Sequence, residues 1–244
     1  MHISPPAATV VALHGQPGDA AEWAAVATRL PSDLRFLALD RPGYGANRRP
    51  AGTIAENAEW LVAELAHAGI SDATLVGHSY GGGVAIAAAV LAPERVSSLV
   101  LIASIGPGAV KWWDRVLAAR LVGPAIAYVG LSLLPNLARR LAPRWVESGR
   151  IQVYDAPWRS FVVEQRELVA NLSSVNAMLS EIAVPTLIVV DPADSIVPVA
   201  TSNELRRAIP HARLEVVDGG HSLPSTNPDA VAAAIESAAI LTSR

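Results

Sequence analysis

The sequence predicts an α/β protein, in which a mostly parallel sheet of about six strands is covered by helices on both faces. Short apolar runs rich in β-branched residues alternate with longer, alanine-rich segments of helical periodicity, and this alternation is typical of a parallel sheet. The 244 residues, of which 51% are apolar or aromatic, suffice for one large domain with an extensive core. Two independent domains are not expected.

Six apolar runs predict the strands, and the segments between them predict the helices. The strands are predicted at residues 9–13, 35–39, 73–76, 96–102, 185–190 and 213–217. The helices are predicted at residues 20–30, 53–68, 80–91, 198–208 and 228–241. Thr53, followed three residues later by Glu56, predicts a capping box at the start of the second helix.

The alternation of predicted strands and helices stops at residue 107 and resumes after residue 180. This segment contains no convincing strand, and it carries four of the six tryptophans, Trp112, Trp113, Trp145 and Trp158. Nine basic and five acidic residues give it a net charge of +4, in a chain whose net charge is −3. We therefore predict a core domain formed by residues 1–106 and 181–244, interrupted by a helical insertion at residues 107–180.

Composition excludes several classes of function. A net charge of −3 lacks the basic footprint of a nucleic-acid-binding protein. The absence of cysteine excludes disulfides, thiolate metal sites and a cysteine nucleophile. The first residues, MHISPP, do not resemble a secretory signal, so a cytoplasmic protein is expected. Glycines and prolines interrupt the uncharged stretch 121–137, which is expected to be buried or interfacial and not an integral membrane segment.

The sequence GHSYGG at residues 77–82 is a candidate catalytic motif. It follows a predicted strand and begins a predicted helix, which is the context of the G-x-S-x-G nucleophile elbow. So tight a turn needs neighbours without side chains, which accounts for Gly77 and Gly81, and the helix N-terminus favours negative charge developing near Ser79. A glycine-flanked serine also occurs at ordinary strand-to-helix turns, but the context favours Ser79 as a nucleophile.

A serine nucleophile needs a histidine base, and the histidine needs a carboxylate that holds its tautomer. Among six histidines, His221 is the one late in the chain that follows a predicted strand, on a loop containing two glycines. Asp194, on the loop after the fifth strand, is favoured as the carboxylate. Asp191 is its competitor, although an aspartate before proline often shapes a turn. Asp218 lies close to His221 in sequence and is interpreted as a turn residue.

The sequence HGQPG at residues 14–18 directly follows the first predicted strand. A glycine-rich turn at this point can aim a backbone N–H group into the site. We predict that the amides of Gln16 and Tyr80 form an oxyanion hole that stabilises a tetrahedral intermediate. The alternative is a plain loop.

These motifs together resemble the α/β-hydrolase fold superfamily. The resemblance rests on the turn at 14–18, the sequence DRPGYG at 40–45, the elbow at 77–82, the Asp194 loop and His221, with serine, aspartate and histidine in the family's order. It implies that residues 107–180 form a helical cap, and that the strand order is 2-1-3-4-5-6.

Two departures from that family's pattern stand out. Only eight residues precede the first predicted strand, so the antiparallel hairpin with which the family's sheet usually begins is expected to be missing. Asp191 stands where many relatives carry glycine.

The resemblance implies a serine hydrolase that needs no metal and no cofactor. Carboxylic esters with small to medium apolar acyl or aromatic groups are the predicted small-molecule substrates, because the insertion is apolar and rich in tryptophan. Trp112, Trp113 and Trp158 are the predicted substrate contacts, although tryptophans in helices also serve only in packing. The alternatives are hydrolysis of a carbon–carbon bond in a vinylogous diketone and non-catalytic binding of a small apolar ligand. The sequence leaves the oligomeric state open.

Overall fold

Six parallel strands form one sheet in a computed structural model that describes residues 8–147 and 157–241. The strands are β1 (Thr9–Leu13), β2 (Arg35–Leu39), β3 (Ala73–His78), β4 (Val96–Ile102), β5 (Thr186–Val190) and β6 (Arg213–Val216). Their order across the sheet is β2-β1-β3-β4-β5-β6, which confirms the predicted order. All five strand pairings in the described part of the chain are parallel. The order reverses between β1 and β3, the point at which such sheets bind ligands.

Helices cover both faces of the sheet. They are α1 (Ala24–Ala27), α2 (Ile54–His67), α3 (Tyr80–Leu91), α4 (Trp112–Ala118), α5 (Val122–Tyr128), α6 (Leu134–Leu141), α7 (Pro143–Glu147), α8 (Trp158–Met178), α9 (Val199–Ala208), α10 (Leu223–Thr226) and α11 (Pro228–Leu241). α2, α3, α8 and α9 contribute to the apolar core on one face, and α1, α10 and α11 contribute to the core on the other. The predicted α/β class is therefore confirmed.

Two local differences from the predicted elements matter for the site. β3 runs two residues beyond the predicted end, because Gly77 pairs with Leu13 of β1 and His78 pairs with Ile102 of β4. The helix predicted at residues 20–30 is instead a 3-10 turn at Ala20–Trp23 followed by the single turn of α1. The predicted capping box is present at the start of α2.

The described part of the chain between β4 and β5 forms helices joined by turns and loops, with no strand. α4 to α7 lead into the 21-residue helix α8, which packs against α3 beside the carboxyl ends of the central strands. The division into a core of residues 1–106 and 181–244 and a cap of residues 107–180 stays a prediction. Part of that segment, residues 148–156, lies outside the described residues.

Candidate active site

Ser79 occupies a strained turn between β3 and α3. Its φ of 51° and ψ of −117° lie outside the regions that residues with side chains readily adopt, and such strain concentrates at functional sites. A Cβ on Gly77 would collide with the backbone of Gly81 and Gly82, and a Cβ on Gly81 would lie 2.5 Å from the carbonyl oxygen of Leu13. The turn is therefore possible only because glycines flank the serine.

The side chains of Ser79, His221 and Asp194 form a continuous chain of hydrogen bonds. His221 Nε2 lies 3.2 Å from Ser79 Oγ, and His221 Nδ1 lies 2.8 Å from Asp194 Oδ2. An ionised carboxylate only accepts hydrogen bonds, so Nδ1 carries the proton and Nε2 is the nitrogen that can accept a proton from Ser79. The structure thus brings together the three predicted catalytic side chains from the loops after β3, β5 and β6.

Three hydrogen bonds hold the Asp194 carboxylate in its ionised form. Its Oδ1 atom accepts hydrogen bonds from the backbone N–H groups of Ile196, at 2.7 Å, and Val197, at 3.0 Å. Burial raises the pKa of this carboxyl, but the hydrogen bond and charge of His221 and the two backbone N–H groups outweigh burial, so the net pKa is lowered. A carboxylate of this kind can stabilise an imidazolium.

Asp191, the competing carboxylate, faces the backbone of the histidine loop and not the imidazole ring. Its Oδ2 atom accepts hydrogen bonds from the N–H groups of Gly219, at 2.7 Å, and Gly220, at 2.6 Å. Its Oδ1 atom accepts from the N–H group of Ala193, at 2.7 Å, which is the local turn expected of an Asp-Pro pair. The N–H groups of Gly220, Ala193 and Gly219 lower the pKa of Asp191. Sequence reasoning identified the local turn and missed the bond to the histidine loop.

The predicted oxyanion turn lies directly against the elbow. A Cβ on Gly15 would sit 2.8 Å from His78 Nδ1 and 3.3 Å from Ser79 Cβ. The Gln16 side chain donates a hydrogen bond to the carbonyl oxygen of Phe161 in α8, at 3.0 Å, and so joins the turn to the helical segment. Tyr80 is the first residue of α3, a position whose N–H group has no partner within the helix. The assignment of the Gln16 and Tyr80 amides to an oxyanion hole stays a prediction.

A buried arginine fixes the other side of the predicted oxyanion turn. Arg41 is fully buried and donates from Nε to the carbonyl oxygen of His14, at 3.1 Å, and from Nη2 to that of Gly15, at 3.0 Å. Arg41 also forms a two-pronged ion pair with the carboxylate of Glu164 in α8, which accepts a further hydrogen bond from Tyr44 Oη at 2.7 Å. The ion pair therefore ties the oxyanion turn to the helical segment between β4 and β5.

Two further histidines lie inside the site, and each has a structural partner. His14 donates from Nδ1 to the carbonyl oxygen of Gly15, at 2.8 Å, and accepts at Nε2 from the N–H group of Arg41, at 3.0 Å. Burial, followed by the Arg41 charge, lowers the pKa of His14 to about 3, so this ring is neutral. His78 pairs with Glu22, with 2.5 Å between Nδ1 and Oε1. No pattern in the sequence pointed to Glu22 as the partner of His78.

The three tryptophans predicted to contact substrate all lie in the helical segment. Trp112 is 72% exposed, and its ring meets the ring of Trp113 edge to face, with 5.8 Å between centroids. Lys111 Nζ lies 4.7 Å from the centre of the Trp113 ring. Trp158 meets Tyr128 edge to face, also at 5.8 Å. Their role as substrate contacts stays a prediction.

The site provides groups for acid–base and nucleophilic chemistry. A hydroxyl, an imidazole and a carboxylate are linked in sequence, beside a helix N-terminus that favours negative charge. Within residues 8–147 and 157–241, no group of three or more histidine, aspartate or glutamate side chains is arranged to hold a metal ion.

A parallel sheet with a serine elbow at its reversal point is the arrangement that defines the α/β-hydrolase fold. The sequence matches the family described as alpha/beta hydrolase fold over residues 8–228, and the chain belongs to that family.

Named relatives cover most of this chain. A putative carbamate hydrolase RutD from Klebsiella pneumoniae is 31% identical over 253 residues, which cover 94% of this chain and 91% of that protein. A 2-hydroxymuconate semialdehyde hydrolase from Pseudomonas sp. is 30% identical over 230 residues, which cover 88% of this chain and 81% of that protein. Among solved structures, a thermophilic esterase from Thermogutta terrifontis with malate bound superposes with a TM-score of 0.75 and 25% identity, covering 94% of this chain and 88% of that chain.

Other relatives match only locally. The dihydrolipoyllysine-residue acetyltransferase component of the acetoin cleaving system of Pseudomonas putida is 43% identical over 101 residues, which span 41% of this chain and 27% of that protein. This chain therefore corresponds to about a quarter of that relative's length.

Proposed function

We propose that this hydrolase cleaves carboxylic esters of small to medium apolar acyl or aromatic groups by way of an acyl-enzyme. The proposal rests chiefly on one observation, the unbroken hydrogen-bond chain from Ser79 Oγ through His221 to Asp194. The strained elbow that carries the serine and the similarity to an esterase of known structure support it further.

In the first step, Ser79 Oγ attacks the ester carbonyl carbon and His221 Nε2 takes the hydroxyl proton. The 3.2 Å separation of these two atoms suits that transfer. Asp194 keeps the proton on Nδ1 and stabilises the imidazolium that forms, through the bond at 2.8 Å. The backbone N–H groups that hold Asp194 Oδ1 keep the carboxylate in place while the charge develops.

The tetrahedral intermediate then carries a negative oxygen, which the amides of Tyr80 and Gln16 stabilise. Collapse of the intermediate breaks the ester bond, and His221 gives its proton to the departing alkoxide. A water molecule, deprotonated by His221, hydrolyses the acyl-enzyme and regenerates Ser79. Loss of one oxyanion donor in such a site costs about 10²–10³-fold in rate.

Turnover of p-nitrophenyl esters of graded acyl length tests the proposal. We expect multiple turnovers by the wild type, and a loss of at least about 10³-fold in Ser79→Ala and in His221→Ala. Ser98→Ala is the matched control. Ser98 is a buried serine in β4 of the same sheet, and its hydroxyl forms a hydrogen bond with the Thr74 hydroxyl at 2.9 Å. A serine-directed phosphonate should add its mass to Ser79 alone.

The same experiment separates catalysis from binding. Release of one equivalent of p-nitrophenol without further turnover would contradict the proposal and favour a ligand-binding member of the fold. Phosphonate labelling at a residue other than Ser79 would identify a different nucleophile.

The tryptophan contacts are tested by acyl-length dependence. If Trp112, Trp113 and Trp158 contact the acyl or aryl group, single alanine variants should raise KM for long or aromatic esters more than for acetate esters. An equal effect on all esters would indicate that the rings only pack the helical segment.

Carbon–carbon bond hydrolysis is the second candidate, because the chain is 30% identical to a 2-hydroxymuconate semialdehyde hydrolase over most of its length. This activity would bleach the absorbance of a vinylogous diketone in the wild type and not in Ser79→Ala. A small carbamate belongs in the same panel, because several relatives are named as putative carbamate hydrolases. The substrate with the highest kcat/KM decides between the three reactions.

A further inference from the structure

One continuous helical run forms the outer part of the segment between β4 and β5. α5 is followed without a break by a π-helical turn at Val129–Leu133 and then by α6. Twenty residues at the helical rise give this run a length of about 30 Å. It contains no charged residue between Val122 and Ala138.

Large apolar side chains line the side of this run that faces away from the protein. We define the outer stripe as Val122, Ile126, Val129, Leu133, Leu137 and Leu141, which follow one another at intervals of three or four residues. Their exposure ranges from 40% for Val129 to 75% for Leu141. Residues three or four apart lie on one side of a helix, so the outer stripe is a single exposed apolar ridge.

The side of the run that packs on the protein carries small residues. Gly123, Ala127 and Pro135 are buried, and a Cβ on Gly123 would collide with the carbonyl group of Leu117 in α4. A surface helix ordinarily buries its large apolar side chains and exposes polar ones. This run instead exposes its large apolar side chains. Exposed apolar patches of such extent mark sites of interaction.

The charged residues between positions 115 and 146 of the sequence have one sign. Between Asp114 and Glu147 the sequence contains five arginines and no acidic residue. The arginines are Arg115, Arg120, Arg139, Arg140 and Arg144. In a two-fold contact between two copies of the chain, the cationic segments of the two copies would face each other, and their like charges would repel. An apolar ridge flanked by arginines is complementary to a layered surface whose outer layer is anionic and whose interior is apolar.

We propose that the outer stripe docks this hydrolase on the surface of a membrane containing anionic lipid. The ridge lies parallel to the membrane plane, and its leucines enter the boundary between headgroups and acyl chains. The four exposed arginines, Arg115, Arg120, Arg140 and Arg144, face the phosphates. Trp112, 72% exposed on the adjacent helix α4, has the amphipathic ring that is enriched at this depth.

The run lies on a membrane and does not cross one. Among the described residues, no single helix is long and apolar enough to span a bilayer. The pair Trp112–Ala118 and Val122–Leu141 meets the length and composition criteria together, but the two helices are bent by 92°. A ridge of this length suits interfacial binding, which depends on the apolar face and the flanking cations.

Site-specific fluorescence tests the docking, because the chain has no cysteine and a single introduced cysteine can be labelled. Leu133→Cys and Leu137→Cys carry an environment-sensitive nitrobenzoxadiazole probe, and Leu91→Cys, at an exposed leucine at the end of α3, is the matched control. Vesicles of phosphatidylcholine with about one third phosphatidylglycerol should shift the emission at 133 and 137 to the blue, and leave the control unchanged. Pure phosphatidylcholine should give a weaker shift. An unchanged spectrum at 133 and 137, or equal shifts at all three positions, would overturn the proposal.

Co-sedimentation with the same vesicles gives a second measurement. The double variant Leu133→Glu/Leu137→Glu should bind at least about tenfold more weakly than wild type, and Leu91→Glu should bind like wild type. Hydrolysis of a soluble p-nitrophenyl ester and the circular dichroism spectrum should be unchanged in each variant. Binding that is unaffected by the double variant would overturn the proposal. So would self-association in the ultracentrifuge that the double variant abolishes, because a second copy would then cover the stripe.

Discussion

His78 Nε2 lies 2.9 Å from the backbone carbonyl oxygen of His221, while the other ring nitrogen of His78 faces the carboxylate of Glu22. Both partners only accept hydrogen bonds, so both ring nitrogens of His78 carry protons and the ring is an imidazolium. The second oxygen of Glu22 accepts from the N–H group of Gly15 at 3.0 Å. A buried ion pair thus connects the predicted oxyanion turn with the loop that carries the predicted catalytic base.

The first prediction concerns the pH dependence of this ion pair. Burial lowers the pKa of His78, but the charge and hydrogen bond of Glu22 outweigh burial and raise it above its ordinary 6.5. Burial raises the pKa of Glu22, but His78 outweighs burial and lowers it below 4.5. The charged His78 contributes its full share to the free energy of unfolding below pH 6.5, and this contribution is lost as the pH rises through the raised pKa of His78. The Glu22 contribution is complete above pH 4.5 and is lost as pH falls through the lowered value.

Glu22→Gln should therefore destabilise the protein most between pH 4.5 and 6.5, and progressively less at higher pH. The expected loss at the maximum is about 2 kcal/mol, the contribution of a hydrogen bond to a charged group. Urea unfolding at a series of pH values measures it. Glu94→Gln, which removes a surface pair with Arg95, is the control and should lower the free energy of unfolding by less than about 1 kcal/mol. A Glu22→Gln effect that grows as the solution becomes more alkaline would contradict the assigned charges.

The second prediction separates the two aspartates of the β5 loop. Asp194→Ala removes the acceptor of His221 Nδ1 and should lower kcat by about 10⁴-fold. Asp191→Ala releases Gly219 and Gly220 but leaves the imidazole bonded, so it should lower kcat by at most about 10²-fold, through a displaced loop. Steady-state kinetics on one p-nitrophenyl ester compares them. An inactive Asp191→Ala beside an active Asp194→Ala would reverse the assignment of the acid.

The parts of this site that sequence predicts are those with a local pattern. The turn at 14–18, the elbow at 77–82 and the loops of Asp194 and His221 each follow a strand, and strands of a parallel sheet end at one edge, so their meeting place follows from topology. Glu22 and Glu164 have no such pattern. Glu164 lies 123 residues from Arg41 along the chain, and only the packing of α8 on the sheet brings its carboxylate to the guanidinium.

Secondary structure shows the same limit. The segment 20–30 has helical composition, yet only a 3-10 turn and one α-helical turn form there, because tertiary contacts override local preference. Asp40, in the DRPGYG sequence, accepts from the N–H group of Ala20 at 2.7 Å and fixes the start of that turn. Asp40 lies on the loop that follows β2, outside the segment 20–30. The periodicity of residues 20–30 therefore cannot reveal this hydrogen bond.

The third prediction concerns the contact between the oxyanion turn and the elbow. Gly15→Ala would place a methyl group 2.8 Å from His78 Nδ1 and 3.3 Å from Ser79 Cβ, so the turn must move away from the serine. We expect kcat to fall at least about tenfold with a smaller change in KM, because the oxyanion amides would be misplaced. Gly130→Ala is the control, since a Cβ there meets nothing within 4 Å. Full activity of Gly15→Ala would show that the oxyanion turn tolerates displacement.

The fourth prediction concerns the buried ion pair of Arg41 and Glu164. Both side chains have 0% exposure, so neither charge can be compensated by water if its partner is removed. Glu164→Gln should cost about 3–5 kcal/mol in the free energy of unfolding, because the guanidinium stays buried without a counter-charge. The exposed pair of Arg207 and Glu204 provides the control, and Glu204→Gln should change stability by less than about 1 kcal/mol.

A double-mutant cycle then distinguishes a paired charge from simple loss of packing. Arg41→Met/Glu164→Met removes both charges and keeps apolar volume, so it should be less destabilised than the sum of the two single methionine variants. Its activity should nevertheless fall, because Arg41 also holds the carbonyl oxygens of His14 and Gly15 that shape the oxyanion turn. Denaturant unfolding and ester turnover measure the two effects on the same samples. Additive stability losses would mean that the charges do not interact, whereas unchanged turnover would mean that the turn keeps its shape without the guanidinium.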